Sequence, residues 1–534
     1  MLLSGASAVE REKQALNELN VFPVPDGDTG TNMSLTLNAA SEALLSCAVL
    51  PAGDVADIIA KSLLRGARGN SGVILSLLFR GFAKHLRELS EIDGAQFAAA
   101  LKCGVETAYG AVMKPAEGTI LTVSRVAAAA GEASAAGCAA IESVMAACVE
   151  AADAALGETV YQNPVLLKAG VIDAGARGFC VMLSAMQDAM LGNTEALEFT
   201  PSAAPSAQAA ASVSEDIKFA YCTEFIVEKD DGGRDVLRLR AYLDSIGDSL
   251  VLVDDDEIIK VHVHTNKPGR ALEEGLKYGP LASVKIDNMR KQHTEKVILT
   301  GAAPVRPGER VIAAPEKPFG FVAVAAGDGI FSVLRDLGVD QIIEGGQTMN
   351  PSTEDILRGV DLTPAETVFV LPNNKNIIMA AEQCILMSDK NVVIIPTTSL
   401  PQAVAALLCF EMERTEAVNR ENMLHAIKNV LTGQVTYAAR NSDFDGRKIK
   451  EGDYLCILER ELIATGKDID SVLKKLAARM SKKQPEFVSI FYGGDVDAES
   501  AEKTAAIFRK ECKNAEIGLV YGGQPVYFYL VSAE

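Results

Sequence analysis

The residues best suited to chemistry lie in one short loop, Pro25-Asp26-Gly27-Asp28-Thr29-Gly30-Thr31-Asn32. Asp26 and Asp28 stand two positions apart, and the neighbouring glycines let the backbone turn tightly, so that both carboxylates can point at one spot. Hard cations such as Mg²⁺ prefer carboxylate and phosphate oxygens as ligands. Pro-Asp-Gly is also a common turn sequence. On this loop alone, a magnesium site and an ordinary polar turn both remain open.

Three further glycine-containing turns lead into stretches with helical periodicity. They are Arg68-Gly69-Asn70-Ser71-Gly72, Glu117-Gly118-Thr119 and Asp173-Ala174-Gly175. The free N–H groups and the dipole at a helix N-terminus favour a bound phosphate. Helix capping explains each turn by itself. Four such turns within one helical domain, one of them carrying paired acids, favour a nucleotide site with Mg²⁺.

The elements that must position these turns are predicted from hydrophobic periodicity. Residues 1–192 are rich in Ala and Leu and repeat apolar residues at helical spacing, which predicts an all-α bundle. A Pro/Ser/Ala-rich linker over 193–217 precedes a small α+β domain at 218–300. A second linker at 301–317 leads to an α/β domain at 318–534.

Short runs rich in β-branched residues predict the strands of the last two domains. In the middle domain they are Tyr221–Val227, Val236–Tyr242, Ser249–Asp254 and Ile258–His264. In the last domain, buried runs at Phe319–Ala325, Thr367–Leu371 and Asn391–Pro396 alternate with helical stretches and predict a parallel sheet. A last unit, with strands predicted at Phe487–Tyr492, Ile517–Tyr521 and Val526–Val531 and a helix at 498–512, completes the chain.

Bulk composition excludes several classes of partner. The formal net charge is −20, so binding of nucleic acid or an anionic membrane surface by overall charge is not expected. The ten cysteines contain no CxxC pair and many lie in apolar runs, which is typical of buried thiols in a reducing compartment. No apolar run reaches membrane-spanning length, and the start lacks a signal peptide. We therefore expect a cytoplasmic protein without an integral membrane segment.

The middle domain carries a second candidate for metal chemistry. His262 and His264 stand two apart on a predicted strand and therefore share one face. Cys222 lies at the start of the same domain, and a His-x-His pair with a distant Cys is a plausible ligand set for Zn²⁺. Paired strand histidines are also often structural, so both interpretations remain open.

The segment Leu19–Met33 closely resembles the metal-binding loop of the nucleotide-binding (L-type) domain of dihydroxyacetone kinases, in the form found in fatty acid kinase ATP-binding subunits. Residues 67–76, 114–123 and 170–178 look like the other signature segments of that domain. This resemblance implies an eight-helix bundle that holds ATP with two Mg²⁺ ions. Two residues depart from the family pattern, namely Leu77 and Ala176.

The resemblance also implies roles for individual residues. Asp26 and Asp28 would be catalytic and would ligate the Mg²⁺ ions, with Asn20 as a further metal neighbour. The phosphates would be cradled by Thr29, Thr31, Asn32, Ser71 and Gly72, and the nucleoside end would lie at Thr119, Asp173 and Gly175.

The later segments resemble the other domains of the fatty acid kinase ATP-binding protein. Ile286–His293 looks like part of its middle domain. The resemblance implies that this domain carries zinc on Cys222, His262 and His264. The C-terminal region is similar to a domain related to DegV-type fatty-acid-binding proteins. It lacks a long apolar pocket signature, so we expect it to dock a DegV-type fatty-acid-binding protein that carries the acyl substrate. The family expectation is a homodimer.

The nucleotide domain offers no obvious general base for a hydroxyl acceptor. His85 is its single histidine, and a surface or core-edge role is expected for it. A fatty acid carboxylate is already ionised at neutral pH and needs no general base, and Arg68 and Arg177 are available as positive charges. A carboxylate acceptor is therefore permitted, and the resemblance along the chain implies the ATP-binding catalytic subunit of a fatty acid kinase that makes acyl phosphate. There are two alternatives: a kinase of a small hydroxylated substrate such as glycerone, and a non-catalytic nucleotide-dependent scaffold.

Overall fold

Helices fill the N-terminal part of the chain, as its composition predicts. The computed structural model describes residues 1–19, 27–47, 50–112, 115–193, 221–229, 236–254, 258–288, 310–346, 349–444, 447–459 and 461–534. Eight described helices before residue 194 have ten residues or more, namely α1 (Leu2–Arg11), α3 (Thr29–Leu45), α4 (Ala52–Gly66), α5 (Gly69–Leu86), α6 (Gly94–Ala111), α7 (Ile120–Gly137), α8 (Ile141–Gln162) and α10 (Ala174–Met190). Two six-residue helices, α2 (Lys13–Glu18) and α9 (Pro164–Ala169), connect them. The predicted eight-helix all-α bundle is confirmed.

Side-chain caps fix where several of these helices begin. At α6, Asp93 accepts a bond from the backbone N–H of Gln96, whose side chain reaches back to the backbone N–H of Asp93, forming a capping box. The Thr119 side chain accepts a capping bond from the backbone N–H of Leu121 at the start of α7. The Asp173 side chain accepts one from the backbone N–H of Ala176 at the start of α10. The predicted helix starts at these two turns are therefore confirmed.

The middle of the chain, Ala203–Val311, forms a compact unit of its own. Its described strands are β1 (Tyr221–Glu228), β2 (Gly247–Asp254), β3 (Ile258–Thr265) and β4 (Leu281–Asn288), and its helices are α11 (Val236–Ile246) and α12 (Pro268–Gly275). The strands pair antiparallel in the order β2-β3-β1-β4. The α+β prediction is confirmed.

One predicted strand of this unit is wrong. Val236–Tyr242 belongs to helix α11, in which Leu239 and Leu243 are fully buried one helical turn apart. Val236 and Ile246 pack beside them and continue the helical spacing of three and four residues. The strand prediction rested on β-branched residues, and the segment contains one such residue, Val236.

The other unit joins Met1–Ser202 with Ile312–Glu534. Its first sheet is wholly parallel, as predicted, in the order β6-β5-β7-β8. These strands are β5 (Lys317–Ala325), β6 (Gln341–Glu344), β7 (Ala365–Leu371) and β8 (Asn391–Ile394), and the helices between and after them are α13 (Asp328–Asp336), α14 (Thr353–Leu362), α15 (Lys375–Met387), α16 (Leu400–Leu408) and α17 (Glu416–Asn429).

A second, mixed sheet completes this unit, in the order β13-β12-β9-β16-β14-β15. Its strands are β9 (Leu431–Tyr437), β12 (Tyr454–Leu458), β13 (Glu461–Gly466), β14 (Phe487–Tyr492), β15 (Glu516–Tyr521) and β16 (Tyr529–Ala533). The hairpin β10 (Ser442–Phe444) and β11 (Arg447–Ile449), helices α18 (Ile469–Met480) and α19 (Ala498–Glu511), and a 3₁₀ turn (Ser481–Lys483) accompany it.

The helical bundle and the parallel sheet share one hydrophobic core. Buried Leu63 and Val73 of the bundle belong to the same cluster as Ile356 and Ala380 of the C-terminal region. Helix α14 packs on α4, and α15 packs on α5. Full burial of a Leu, Val or Ile side chain stabilises a fold by roughly 1.5–3 kcal/mol, so this interface is part of the fold of the unit. In the described ranges, no helix combines the length and the apolar character needed to cross a membrane.

Candidate functional site

Asp28 lies at the start of helix α3 and is almost completely buried. It is the N-cap residue, and its backbone oxygen accepts the first helical hydrogen bond from the N–H of Asn32 at 2.8 Å. Its carboxylate makes no capping bond to the helix. The side chain is 8% exposed and accepts a hydrogen bond at 2.5 Å from the amide nitrogen of Asn350, a residue of the C-terminal region.

The first turn of α3 is fixed to the preceding helix by Asn17, which the sequence analysis missed. The Asn17 side-chain oxygen accepts from the backbone N–H of Thr31 at 3.1 Å, and its nitrogen donates to the Thr31 hydroxyl at 3.0 Å. A Cβ at Gly30 would lie 2.2 Å from the backbone oxygen of Lys13. Thr29, the first residue of α3, and Thr31 are half-buried, and Asn32 is buried.

Helix α5 begins directly beside this turn. Gly69 has φ +57°, and a Cβ there would lie 2.5 Å from the amide nitrogen of Asn32, so glycine permits both the backbone turn and the close approach. A Cβ at Gly72 would lie 2.3 Å from the hydroxyl oxygen of Thr36. That hydroxyl accepts from the backbone N–H of Arg68 and donates to the backbone oxygen of Asn32. The N-termini of α3 and α5 therefore meet at one place.

The predicted nucleoside end forms a second cluster around Asp173. Its carboxylate accepts hydrogen bonds from the backbone N–H groups of Ile120, Gly175 and Ala176, which joins the N-termini of α7 and α10. Burial raises the pKa of Asp173 to about 6, against the opposing effect of the three backbone donors. A Cβ at Gly175 would lie 3.2 Å from the Ser71 hydroxyl, so the start of α5 adjoins this cluster. Thr119, the N-cap of α7, is half-buried next to it.

Both arginines considered as positive charges are held in ion pairs. Arg68 donates to the backbone oxygen of Asn350 at 2.7 Å and lies 3.5 Å from the carboxylate of Asp355. Burial lowers the pKa of Arg68, and Asp355 acts in the opposite direction. Arg177 pairs with Glu12 at 3.1 Å. Arg68 therefore links the bundle to the C-terminal region beside Asp28.

The junction offers oxygen donors of the kind that Mg²⁺ prefers. The side-chain oxygens of Asn70 and Asn350 are buried and have no hydrogen-bond partner among the described residues. Amide and carboxylate oxygens of this kind suit a hard cation better than a soft one. Within the described ranges, no group of three or more His, Cys, Asp or Glu side chains could hold a metal.

Two predicted metal residues, Asn20 and Asp26, lie outside the described residues, which omit 20–26. The paired-acid assignment and the number of Mg²⁺ ions therefore stay predictions. The two departures from the family pattern lie in the core, because Leu77 and Ala176 are both buried within the bundle. His85 is exposed in the last turn of α5, as expected.

The register of the middle sheet brings the predicted zinc residues to neighbouring backbone positions. Cys222 on β1 is the cross-strand partner of His264 on β3, and His262 lies opposite Glu224. On the same two strands, Phe225, Val261 and Val263 are buried. The zinc assignment itself stays a prediction.

Asn350 is the main functional candidate that the sequence analysis missed. Its segment follows strand β6 and contains Gly345, Gly346 and the pair Asn350-Pro351. Such a composition is also typical of a turn. The sequence did offer one signal of a functional role: Asn350 is a polar residue beyond the carboxyl end of a parallel strand, where ligands of open α/β sheets commonly bind.

Family models match the chain in three successive segments. A DAK2 domain matches residues 23–188. The middle domain of the FakA-like fatty acid kinase family matches residues 218–296, and the C-terminal domain of the same family matches residues 320–534.

Relatives match over the full length. Protein YloV of Bacillus subtilis is 41% identical over 544 residues, which cover 100% of this chain and 98% of the relative. Uncharacterized proteins of Staphylococcus saprophyticus and Staphylococcus aureus are 36% and 35% identical, again over 100% of this chain and 98% of each relative.

Solved structures match only in part. The dihydroxyacetone kinase from C. freundii in complex with AMP-PNP and Mg²⁺ is 21% identical over 35% of this chain and 33% of that one, with a TM-score of 0.28. The DegV family protein Cg2579 from Corynebacterium glutamicum is 14% identical over 40% and 96%, with a TM-score of 0.31. The Streptococcus pneumoniae Fatty Acid Kinase B3 protein loaded with linoleic acid is 8% identical over 41% and 99%, with a TM-score of 0.28.

Proposed function

Because the chain belongs to the FakA-like family of fatty acid kinase proteins, we propose that it is the ATP-binding catalytic subunit of a fatty acid kinase. It transfers the γ-phosphoryl group of ATP to the carboxylate of a fatty acid that a separate fatty-acid-binding protein presents. The observation that carries this proposal is the meeting of two helix N-termini, those of α3 and α5, around the buried carboxylate of Asp28.

The chain supplies phosphate binding through its backbone. The N-terminal N–H groups of a helix attract anions, and Gly69 brings the start of α5 against Asn32 with no side chain between them. The chain has a net charge of −20, so a polyphosphate depends on such local donors. Ser71, at the second cluster with Asp173 and Gly175, places the rest of the nucleotide along the start of α5.

The acidic residues of the same loop hold the metal in this proposal. Asp28, with Asp26 from the preceding segment, would ligate Mg²⁺, which when bound neutralises negative charge on the phosphates. Asp28 suits this role because its carboxylate is not used to cap α3 and is held by the amide nitrogen of Asn350.

A carboxylate acceptor fits what surrounds the site. The only histidine of the bundle is His85, which lies 14 positions after Ser71 on α5, or about 21 Å away along the helix axis. It is too far to serve as a general base at Asp28. An ionised fatty acid needs none, because its oxygen attacks the γ-phosphorus, an O–P bond forms, and the bond to the departing ADP oxygen breaks without proton transfer.

In this proposal the C-terminal region docks the partner that delivers the acceptor. It contacts the bundle at Asn350 and Arg68, next to Asp28, and shares the core of the bundle. A DegV-type fatty-acid-binding protein docked on this region would therefore hold its acyl carboxyl group near the phosphoryl-transfer site.

An acceptor comparison tests the proposal. The full-length protein is incubated with ATP and Mg²⁺, and with free fatty acid, fatty acid loaded on a DegV-type binding protein, or glycerone, and acyl phosphate is trapped with hydroxylamine. We expect hydroxamate from the protein-bound fatty acid. Phosphorylation of glycerone instead would support the small-substrate kinase, and nucleotide binding without turnover of any acceptor would support the scaffold.

A further inference from the structure

A loop from the C-terminal region reaches into the phosphate end of the helical bundle. The described part of this loop, residues 349–352, lies between β6 and α14. Its Asn350 side chain is 1% exposed. The amide nitrogen lies 2.5 Å from a carboxylate oxygen of Asp28 and 3.3 Å from the side-chain oxygen of Asn32. A side chain that lies 322 positions after Asp28 in the sequence thus contacts two residues of the proposed site.

The orientation of the Asn350 amide follows from its neighbours. A carboxylate only accepts hydrogen bonds, so the atom of Asn350 that approaches Asp28 must be the nitrogen. The oxygen of the amide then points elsewhere, and it is buried with no hydrogen-bond partner among the described residues. An unsatisfied buried polar atom costs about 1–3 kcal/mol. A side chain that served packing alone would gain nothing from that arrangement.

The backbone at Asn350 and in the residues that follow it is anchored to the bundle. The Asn350 backbone oxygen accepts from Arg68 at 2.7 Å. The backbone N–H of Thr353 donates to the backbone oxygen of Ala67 at 3.1 Å, and Asp355 lies 3.5 Å from Arg68. These bonds attach the loop to the residues that precede α5. They hold the amide of Asn350 in one place relative to Asp28.

We infer that Asn350 is a positioning residue of the phosphoryl-transfer site, supplied by the C-terminal region. Its amide N–H fixes the orientation of the Asp28 carboxylate. Hydrogen-bonding partners that orient metal-ligating carboxylates commonly change metal affinity by 10- to 100-fold when they are removed. The inference rests on the proposed function, because it takes Asp28 as a metal ligand.

This arrangement ties the nucleotide site to the region proposed to dock the lipid-carrying partner. The loop bearing Asn350 leads directly into α14, which packs on α4 of the bundle. A shift of the C-terminal region relative to the bundle would move Asn350 away from Asp28. The bundle alone therefore lacks one of the groups that position its own metal ligand.

The test measures Mg²⁺-dependent binding of ADP to the full-length protein by isothermal titration calorimetry. The variants are Asn350→Ala and Asn350→Asp, with Met349→Ala as the control, because Met349 is the preceding residue and is 58% exposed. We expect Asn350→Ala to raise the Mg²⁺ concentration for half-maximal ADP binding at least about tenfold, with Met349→Ala unchanged. Circular dichroism and thermal unfolding verify that each variant is folded.

Asn350→Asp distinguishes the contribution of the amide N–H from that of the amide oxygen. Asn350→Asp keeps an oxygen but loses the N–H and places a second carboxylate against Asp28, so we expect it also to weaken Mg²⁺-dependent binding. Should Asn350→Ala fail to fold, this nearly isosteric variant carries the test by itself. Phosphoryl transfer, measured as kcat and KM, should show a lower kcat in both variants at low Mg²⁺ and partial recovery at high Mg²⁺.

Three outcomes would overturn the inference. An unchanged Mg²⁺ requirement in both variants would leave Asn350 as a packing contact, although the proposed function would stand if the wild-type protein binds Mg²⁺ with ADP. Tighter binding in Asn350→Ala would mean that the loop obstructs the site. Absence of Mg²⁺-dependent ADP binding in the wild-type protein would overturn the inference together with the proposed nucleotide site.

Discussion

Replacing Asp173 with asparagine should change how the stability of the protein depends on pH. The Asp173 carboxylate lies between the N-termini of α7 and α10 and accepts three backbone hydrogen bonds, from Ile120, Gly175 and Ala176. Burial nevertheless dominates and raises its pKa from 3.8 to about 6. Asparagine keeps an oxygen that can cap α10 but does not ionise, so Asp173→Asn removes the titration and leaves the cap.

The sign and the size follow from the shift in pKa. A carboxyl group whose pKa is higher in the folded protein than in the unfolded chain stabilises the fold while it is protonated. That contribution is complete below the unfolded value of 3.8 and is lost as the pH rises through about 6. At about 1.4 kcal/mol per pKa unit, the shift corresponds to about 3 kcal/mol, of which about 1.4 kcal/mol falls between about pH 5 and pH 8.

Urea unfolding followed by circular dichroism, at about pH 5 and at about pH 8, measures this effect. On going to the higher pH, the free energy of unfolding of Asp173→Asn should gain about 1.4 kcal/mol relative to wild type. Asp93→Asn is the matched control, because Asp93 also caps a helix but is exposed. A difference between wild type and Asp173→Asn that stays constant with pH would refute the reasoning about burial.

Three further perturbations test the packing and the metal assignments. Gly72→Ala places a Cβ 2.3 Å from the Thr36 hydroxyl and should lower the free energy of unfolding by about 1–3 kcal/mol. Gly157→Ala is the control, because nothing lies within 4 Å of its Cβ, and it should not destabilise the protein. Equal urea midpoints for the two variants would contradict this prediction. Lys390 donates to three backbone oxygens at the end of α14, so Lys390→Met should cost about 1–2 kcal/mol, and an unchanged midpoint would refute that role. Elemental analysis should find zinc in the wild-type protein and less in Cys222→Ser, and a zinc-free wild type would end the zinc hypothesis.

Local sequence patterns predicted most of the regular elements because those elements are fixed by local periodicity. The bundle and the parallel strands show strong single periods, and strand β14, Phe487–Tyr492, has the predicted bounds. Helix α11 was mistaken for a strand because the segment Val236–Tyr242 was assigned by residue type, although Val236 is the one β-branched residue in it. The buried pair Leu239 and Leu243 shows that the tertiary contacts select the helical period.

Strand β9 was missed because its stability depends on distant partners. Val435 of β9 lies opposite Cys456 of β12 on one side and Tyr529 of β16 on the other. The β9 sequence mixes glycine and polar residues with its apolar ones and gives only a weak strand signal by itself. Pairing across such separations is decided by the sheet as a whole and cannot be derived from a local window.

The candidate site divides in the same way. Asp28, Asn32 and the start of α5 lie close in the structure, and their turn sequences predicted a shared role. Asn350 lies 322 positions from Asp28, and its own segment reads as a turn. Only the packing of α14 on α4, which places the loop beside the bundle, reveals that contact. A residue supplied by one region to the site of another carries no local signature.

The most direct test of the account is the rate of acyl phosphate formation by full-length Asp28→Asn. The assay contains ATP, saturating Mg²⁺ and a fatty acid loaded on its binding protein, with Asp54→Asn, an exposed carboxylate on α4, as the control. We predict that the wild-type protein and Asp54→Asn make acyl phosphate at the same rate, and that Asp28→Asn is folded but inactive. Near-normal turnover by Asp28→Asn would contradict the placement of phosphoryl transfer at this end of the helical bundle.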